Sequence, residues 1–314
     1  MRLQPLSEER NEPPKDRRVP TIEFKQRMST LITAHPIWKW ITSDARHFQV
    51  IFLGSFLLFG IGSLGWDAEI GRYATIAATC LGTQAIFIKW HRLEWRTLKS
   101  ALITMLGLCL LLKAGSTWTL VLGAFVAIAS KFILRFRSRH FFNPANIGIV
   151  LAILLTGDAW VSPGQWGSGT ALLFLVGALG LMVVLKVGRI DTSAAFLLTF
   201  AALEYARTVL YLGWGADVWL HKLTNGSLLL FTFFMITDPM TTPAAPRARI
   251  IWSVVVAALA FGLSWQLLIG AAPVWALFIM CCLTPLFDAI WSWERFQWLP
   301  TQRTVTMQSP VRTR

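Results

Sequence analysis

Long apolar runs dominate the chain from Phe48 onward, and they do not alternate with polar residues. A helix needs about 20 mostly apolar residues to cross a bilayer. Uninterrupted runs favour helices over a barrel, whose strands would alternate. The pattern therefore predicts an all-α integral membrane protein with about ten transmembrane helices. The ten segments are Phe48–Trp66, Tyr73–Trp90, Leu98–Leu112, Trp118–Leu134, Ala145–Trp160, Ala171–Val187, Ile190–Trp214, Leu223–Ile236, Ile250–Ile269 and Pro273–Ile290.

Two of the ten segments are short for a membrane crossing. The third, Leu98–Leu112, has 15 residues, and the eighth, Leu223–Ile236, has 14. We expect these two to be tilted, broken or re-entrant.

The basic residues give an independent view of the topology. Cytoplasmic loops of membrane proteins collect Lys and Arg. With ten spans, 25 of the 29 Lys and Arg fall on one side, in the N-terminal tail, in the loops after spans two, four, six and eight, and after span ten. The pattern predicts that both termini are cytoplasmic, in a bacterial inner membrane.

Composition supports this interpretation and divides the chain into three parts. Apolar residues make up 55% of the chain and charged residues only 14%, which is too few to cover a soluble globule. We expect a basic cytoplasmic tail over residues 1–46, a membrane domain over 47–294 and a second tail over 295–314. The net charge of +13 then comes from loops and tails, so it does not indicate a nucleic-acid partner.

Charged and polar residues at the ends of the spans are the candidates for function. Glu204 and Arg207 share a helix face in span seven, either as an internal salt bridge or as a polar wall for an ion or cofactor path. Asn143-Pro144 opens span five after the basic residues Arg135, Arg137 and Arg139. Asn143 can cap that helix, and a helix start beside arginines also suits phosphate or a ring carbonyl.

Span eight ends in an unusual sequence. Thr237-Asp238-Pro239 is followed by two further threonines and a second proline, although one proline is enough to stop a helix. Thr237 and Asp238 therefore could hold a cation or hydrogen-bond a cofactor ring. On the other side of the membrane, the glycine-rich loop between spans five and six contains Ser168 and Thr170. This loop either approaches a ligand closely or is simply a surface loop.

Other common chemistries are poorly supported. The sequence contains no serine-protease or cysteine-protease set, no phosphate-binding loop and no HExxH motif. Its histidines show no spacing typical of a metal site, and the four cysteines lie within apolar runs. No metal site is therefore predicted.

Three motifs together resemble the NqrB/RnfD family, the membrane subunits of sodium-pumping NADH:quinone reductase and of the Rnf complex. These motifs are Phe142-Asn143-Pro144-Ala145, the stretch from Phe234 to Pro243 and Pro285-Leu286-Phe287-Asp288. The similarity extends from about Lys131 to Asp288. The chain looks more like a stand-alone RnfD-like member, of the kind found in enediyne-type gene clusters, than a core Rnf subunit.

The resemblance implies a flavin-dependent function. Family members carry FMN esterified to a threonine in an SGAT-type motif on the outer side, and often a riboflavin nearer the cytoplasm. Here the corresponding loop reads Gly167-Ser168-Gly169-Thr170-Ala171, without the alanine that precedes the family's threonine. By this resemblance Thr170 is the attachment point, Asn143 and the Arg135–Arg139 loop lie near a flavin, and other redox subunits supply the electrons.

Three functional hypotheses follow. The first is a flavin-binding membrane subunit that relays electrons across the bilayer, coupled to sodium or proton movement. The second is a transporter on the same fold without a redox role, in which the broken helices at Asn143-Pro144 and Asp238-Pro239 form a substrate site. The third is a membrane anchor for a partner redox enzyme.

Overall fold

The computed structural model describes residues 44–66, 69–136, 139–162, 170–294 and 296. Most of the two predicted tails, Arg137 and Ser168 lie outside this part of the chain. The described α-helices are α1 (Ala45–Ser63), α2 (Ile70–His91), α3 (Leu98–Leu111), α4 (Thr117–Ile133), α5 (Pro144–Thr156), α6 (Thr170–Val187), α7 (Ile190–Tyr205), α8 (Ala216–Leu223), α9 (Gly226–Leu230), α10 (Pro246–Trp265) and α11 (Ala272–Ile290).

Short irregular elements connect these helices. A 3₁₀ turn, Trp95–Thr97, precedes α3, and π-helical turns extend α7 over Ala206–Tyr211 and α9 over Phe231–Met235. Two antiparallel ribbons join loops. Strand β1 (Leu112–Ala114) pairs with β4 (Ala159–Val161), and β2 (Arg135–Phe136) pairs with β3 (Arg139–His140).

The described residues form an all-α, multi-pass membrane protein. Among them, four helical segments are long and apolar enough to cross a bilayer, namely Arg46–Ser63, Ile190–Tyr211, Pro246–Trp265 and Ala272–Ile290. Shorter apolar helices cover Thr117–Ile133, Pro144–Thr156 and Gly226–Met235. The count of ten spans and the cytoplasmic position of the termini stay predictions.

The two short segments differ in their structure. Segment three is a continuous 14-residue helix, α3. Segment eight is a short irregular helix: the five residues of α9 continue directly into a π turn. Whether it is tilted or re-entrant stays a prediction. A π turn leaves the regular hydrogen-bond ladder, and such turns frequently occur at functional sites.

Small residues allow α4 and α5 to approach closely. A Cβ placed on Gly148 would lie 2.5 Å from the carbonyl oxygen of Gly123 and 2.7 Å from the Cβ of Ala127. Close packing through glycine and alanine is a common way for helices to associate in membranes. This crossing fixes the start of α5, where Asn143 lies.

The charged ends of the helices define two faces of the bundle. Ion pairs join the ends that carry most of the basic loops, such as Arg139–Asp288 and Arg249–Asp191. We call this face the basic end. At the opposite end, Lys113 pairs with Glu69, and Asp158 accepts hydrogen bonds from the Ser116 N–H and the Thr119 hydroxyl.

Candidate functional site

The basic end contains a junction between the two Asx-Pro motifs. Asn143 caps α5, because its side-chain oxygen accepts the Asn146 N–H at 3.1 Å and Pro144 takes the first helical position. This confirms the predicted cap. The Asn143 amide also donates to the Met235 carbonyl at 3.3 Å and to the Asp238 carboxylate at 3.4 Å. One side chain thus starts a helix and joins two motifs 95 residues apart.

Asp238 is the centre of this junction. Its Oδ2 lies 3.3 Å from His140 Nε2, and its Oδ1 accepts the Met240 N–H at 3.0 Å. Asp238 follows the apolar segment Gly226–Met235, so it lies beyond that candidate span. Burial alone would raise the pKa of Asp238, because it favours the neutral carboxyl. The hydrogen bond and the charge of His140, the Met240 N–H and the charge of Lys131 outweigh burial and hold this pKa below its usual value.

The threonines around Asp238 stabilise the turn rather than face a ligand. Thr237 is buried, and its hydroxyl donates to the Phe233 carbonyl at 2.7 Å. The hydroxyls of Thr241 and Thr242 donate to the Asp238 backbone carbonyl at 3.3 and 3.1 Å. These bonds satisfy carbonyl groups that the end of the helix leaves free.

A second acidic residue, Asp288, stabilises the same end. Arg139 pairs with its Oδ2 at 2.6 Å, and the Ala244 N–H donates to its Oδ1 at 2.8 Å. Arg135, in contrast, is exposed on β2 opposite His140. Of the predicted basic loop, the structure therefore brings Arg139 into the junction and leaves Arg135 outside it.

A cavity of about 100 Å³ lies beside the junction. Its polar lining comes from four parts of the chain, and apolar side chains of α1, α3 and the π turn complete it. The polar residues are Arg46, Gln49, Ser100, Thr104, His140, Asn143 and Asp238. Thr237 does not line this cavity.

A larger cavity, of about 380 Å³, lies toward the opposite end. Its polar lining consists of Glu204, His221, Lys222, Asn225, Ser227 and Ser264. Val161, at the end of β4, also lines it and directly precedes the segment that leads to Thr170. Thr170 begins α6, which packs against α9 and its π turn.

Some polar side chains of the larger cavity have hydrogen-bond partners within the protein. Glu204 is buried and accepts from Lys222 Nζ and Trp265 Nε1, each at 2.9 Å. Its pairing with Lys222 differs from the salt bridge considered with Arg207, because the π turn starts at Ala206 and changes the register of the helix face. The Arg207 guanidinium instead lies over the Tyr211 and Trp265 rings, at 4.6 and 5.0 Å.

One polar atom of this cavity stands out. The buried Oγ of Ser227 has no hydrogen-bond partner among the described residues. Buried polar groups are normally satisfied, so an unpartnered hydroxyl in a residue of the cavity wall requires an explanation, such as a water, an ion or a ligand group. One π turn borders this cavity through Phe231 and Met235, and the other begins two residues after Glu204.

The two cavities share part of their walls. Leu111 and Met235 line both of them. The cavities therefore approach each other within the apolar interior, one toward each end of the bundle.

Several important residues could not be identified from the sequence. His140 and Lys222 were counted only as parts of loops, yet they contact the two buried carboxylates. Asp288 was recognised only as the last residue of the Pro285–Asp288 motif, without its partner Arg139. Their partners lie 98, 18 and 149 residues away in the chain, so only the tertiary structure reveals the pairs.

Comparisons with known proteins agree with the motifs. Residues 152–297 match the sequence model of the NQR2, RnfD, RnfE family. The chain is also 32% identical, over 143 residues, to one of the subunits of the ion-translocating oxidoreductase complex of Stutzerimonas stutzeri. That alignment covers 44% of this chain and 38% of the relative, so the chain spans well under half of the relative's length.

The match includes most of the candidate site. It extends from within α5 to the end of α11, and so covers Thr170, Asp238 and the polar lining of the larger cavity. Arg135 and Asn143 precede it. The resemblance indicated by the motifs is thereby confirmed: residues 152–297 of this chain are similar to the RnfD/NqrB family.

Proposed function

We propose that this chain is a flavin-binding membrane subunit of an electron transport chain, in which electrons pass between the two ends of the membrane domain. The observation that carries the proposal is the pair of cavities, one toward each end, that share Leu111 and Met235. The name of the Stutzerimonas stutzeri relative supports the assignment to an ion-translocating oxidoreductase complex.

The larger cavity fits the FMN better than the smaller one. Pockets for small ligands usually measure about 300–1,000 Å³, and 380 Å³ lies within that range. The Ser227 hydroxyl can hydrogen-bond a ring heteroatom, and Lys222, which pairs with Glu204, adds an ammonium donor at the cavity wall. Val161, which lines this cavity, precedes Thr170 by nine residues in the sequence, and this short distance along the chain supports attachment at that threonine.

The smaller cavity suits a proton or a small cation. At about 100 Å³ it is below the usual size for a ligand pocket, so its residues do not fit a complete riboflavin in this conformation. Asp238 supplies a carboxylate, His140 can exchange a proton, and Asn143 holds the carboxylate in place. We propose this junction as the entrance for the coupled sodium ion or proton from the cytoplasmic side of an inner membrane.

The protein's part in this function is positioning and electrostatics. A bound flavin would supply the electron-transfer chemistry. The side chains of α8 and α9 would orient it, and the apolar wall of Leu111 and Met235 would keep water from connecting the two cavities. Electrons would come from other membrane or soluble redox subunits.

Flavin content tests the proposal. The full chain, purified from flavin-replete cells, should be yellow, and its flavin should remain attached after denaturation. Mass spectrometry should place the added mass on the peptide that contains Thr170. Thr170→Ala should lose the covalent fraction, and Thr237→Ala, at a threonine that does not line the larger cavity, should keep it. Colourless wild-type protein would contradict the proposal and would favour a transporter or an anchor.

A further inference from the structure

The C-termini of α2 and α4 lie at the basic end and form an aromatic and basic surface there. The Phe87 and Phe132 rings stack with centroids 4.4 Å apart and planes 4° apart, which joins the two helix ends. His91 continues the stack over Phe132 at 5.9 Å. We call the exposed residues around this stack the basic–aromatic rim: Lys89, Trp90, Arg92, Trp95, Arg96, Arg135 and Phe136.

The structure separates the basic residues of these loops into two groups. Lys99, Lys131 and Arg139 are used internally: they contact Asp44, Ser100 and Asp288. Lys89, Arg92 and Arg96 are exposed and make no ion pair within the described residues. A general preference for positive charge in cytoplasmic loops would not require this separation. The outward group carries a positive charge that is available to an external partner.

The backbone at Arg92 gives a second observation. Arg92 follows α2 in the left-handed conformation, with φ of 52°. Glycine is the usual residue at this position of a helix end, because a side chain there is strained. Leu268 and Ala271 share this conformation, so the strain does not by itself assign a role. It does make Arg92→Gly a variant that removes the side chain without adding strain.

The apolar residues of the rim identify the kind of partner. Trp90 is 74% exposed and Trp95 59% exposed. Ile86, which shares a helix face with Trp90, is 64% exposed one turn deeper along α2. This apolar face of α2 continues from the rim toward the membrane interior. A partner that contacts the basic residues therefore also contacts the lipid-facing side of α2. Tryptophan and arginine together are typical of the interfacial layer of a bilayer.

We propose that the basic–aromatic rim binds the head group of an anionic phospholipid, with its acyl chains along α2 and α4. Arg92 and Arg96 contact the phosphate, and Trp90 and Trp95 lie beside the glycerol region. A soluble acidic protein fits less well, because its contact would leave the deeper apolar face uncovered. The inference does not depend on flavin binding.

Native mass spectrometry of the full chain in detergent tests this inference. Phosphatidylglycerol and phosphatidylcholine with identical acyl chains would be titrated separately. We expect retained phosphatidylglycerol with the wild type, and about tenfold weaker retention with Arg92→Gln/Arg96→Gln, since each basic residue near a surface contributes to anionic-lipid affinity. Lys186→Gln/Arg247→Gln, which removes two exposed charges elsewhere at this end, should bind like the wild type.

A third variant separates lipid binding from folding. Arg92→Gly should keep or raise the thermal unfolding temperature, because glycine adopts the left-handed conformation without strain. It should nevertheless weaken phosphatidylglycerol retention. Equal retention by the Arg92→Gln/Arg96→Gln variant and the wild type, or equal binding of the two lipids by the wild type, would overturn the proposal.

Discussion

The junction at the basic end and the larger cavity toward the opposite end use polar residues differently: the junction side chains bond to one another, whereas the cavity combines the bonded Glu204 with the unpartnered Ser227 hydroxyl. At the junction, the Asn143 amide donates to the Asp238 carboxylate, and the carboxylates of Asp238 and Asp288 each accept a backbone N–H. In the larger cavity, Ser227 Oγ lacks a partner among the described residues, and the polar side chains border 380 Å³ of space. Satisfied polar groups hold a fold together, whereas available ones recognise ligands. Substitutions at the junction should therefore affect stability, and those in the cavity should affect binding.

The largest expected effect is at Asp288. Asp288→Ala removes the partner of Arg139 and the acceptor of the Ala244 N–H. Because this pair is largely but not fully buried, we expect a loss of about 2 kcal/mol, below the 3–5 kcal/mol of fully buried pairs. Thermal unfolding in detergent, followed by size-exclusion chromatography, measures it. The flavin content of the remaining folded protein should be unchanged, and a selective loss of flavin would break the comparison.

Asn143 should show a smaller effect with a distinctive pattern. Asn143→Ala removes the α5 cap and should cost about 1–2 kcal/mol. Asn143→Asp keeps a capping oxygen but places a second carboxylate beside Asp238. We expect this variant to be at least as unstable as the alanine variant at neutral pH, and to recover on acidification. An aspartate variant as stable as the wild type would show that the amide's contact with Asp238 is unimportant.

Asp238 should make stability depend on acid pH. Its pKa is lower in the folded protein than in the unfolded chain. The folded state therefore binds fewer protons, so the stabilisation is present above the unfolded pKa of about 4 and is lost as the pH falls through the folded value. The unfolding temperatures of the wild type and Asp238→Asn should converge between neutral pH and acid. A constant difference would contradict this role of the carboxylate.

The sequence predicted the helical architecture and individual local features well. Long apolar runs located the membrane helices, and the Asn143-Pro144 pair predicted a cap that the structure contains. Such features depend on neighbouring residues, which the sequence displays directly.

Long-range pairs escaped the sequence interpretation. Glu204 and Arg207 are three residues apart, so an internal pair was considered, but Lys222 and Trp265 contact the carboxylate instead. The shared wall of Leu111 and Met235 likewise requires the packing of α3 against the π turn. Neither residue is chemically distinctive, so no motif marks them.

Cavity filling at Ser227 tests the central claim, that the larger cavity holds the flavin, most directly. Ser227→Phe adds a ring to the cavity, whereas Ser227→Ala removes only the hydroxyl and keeps the space. Flavin per chain would be measured on folded protein of each variant and of the wild type. We predict that the wild type and Ser227→Ala contain flavin and that Ser227→Phe remains folded without it. A Ser227→Phe protein with the flavin content of the wild type would contradict the account.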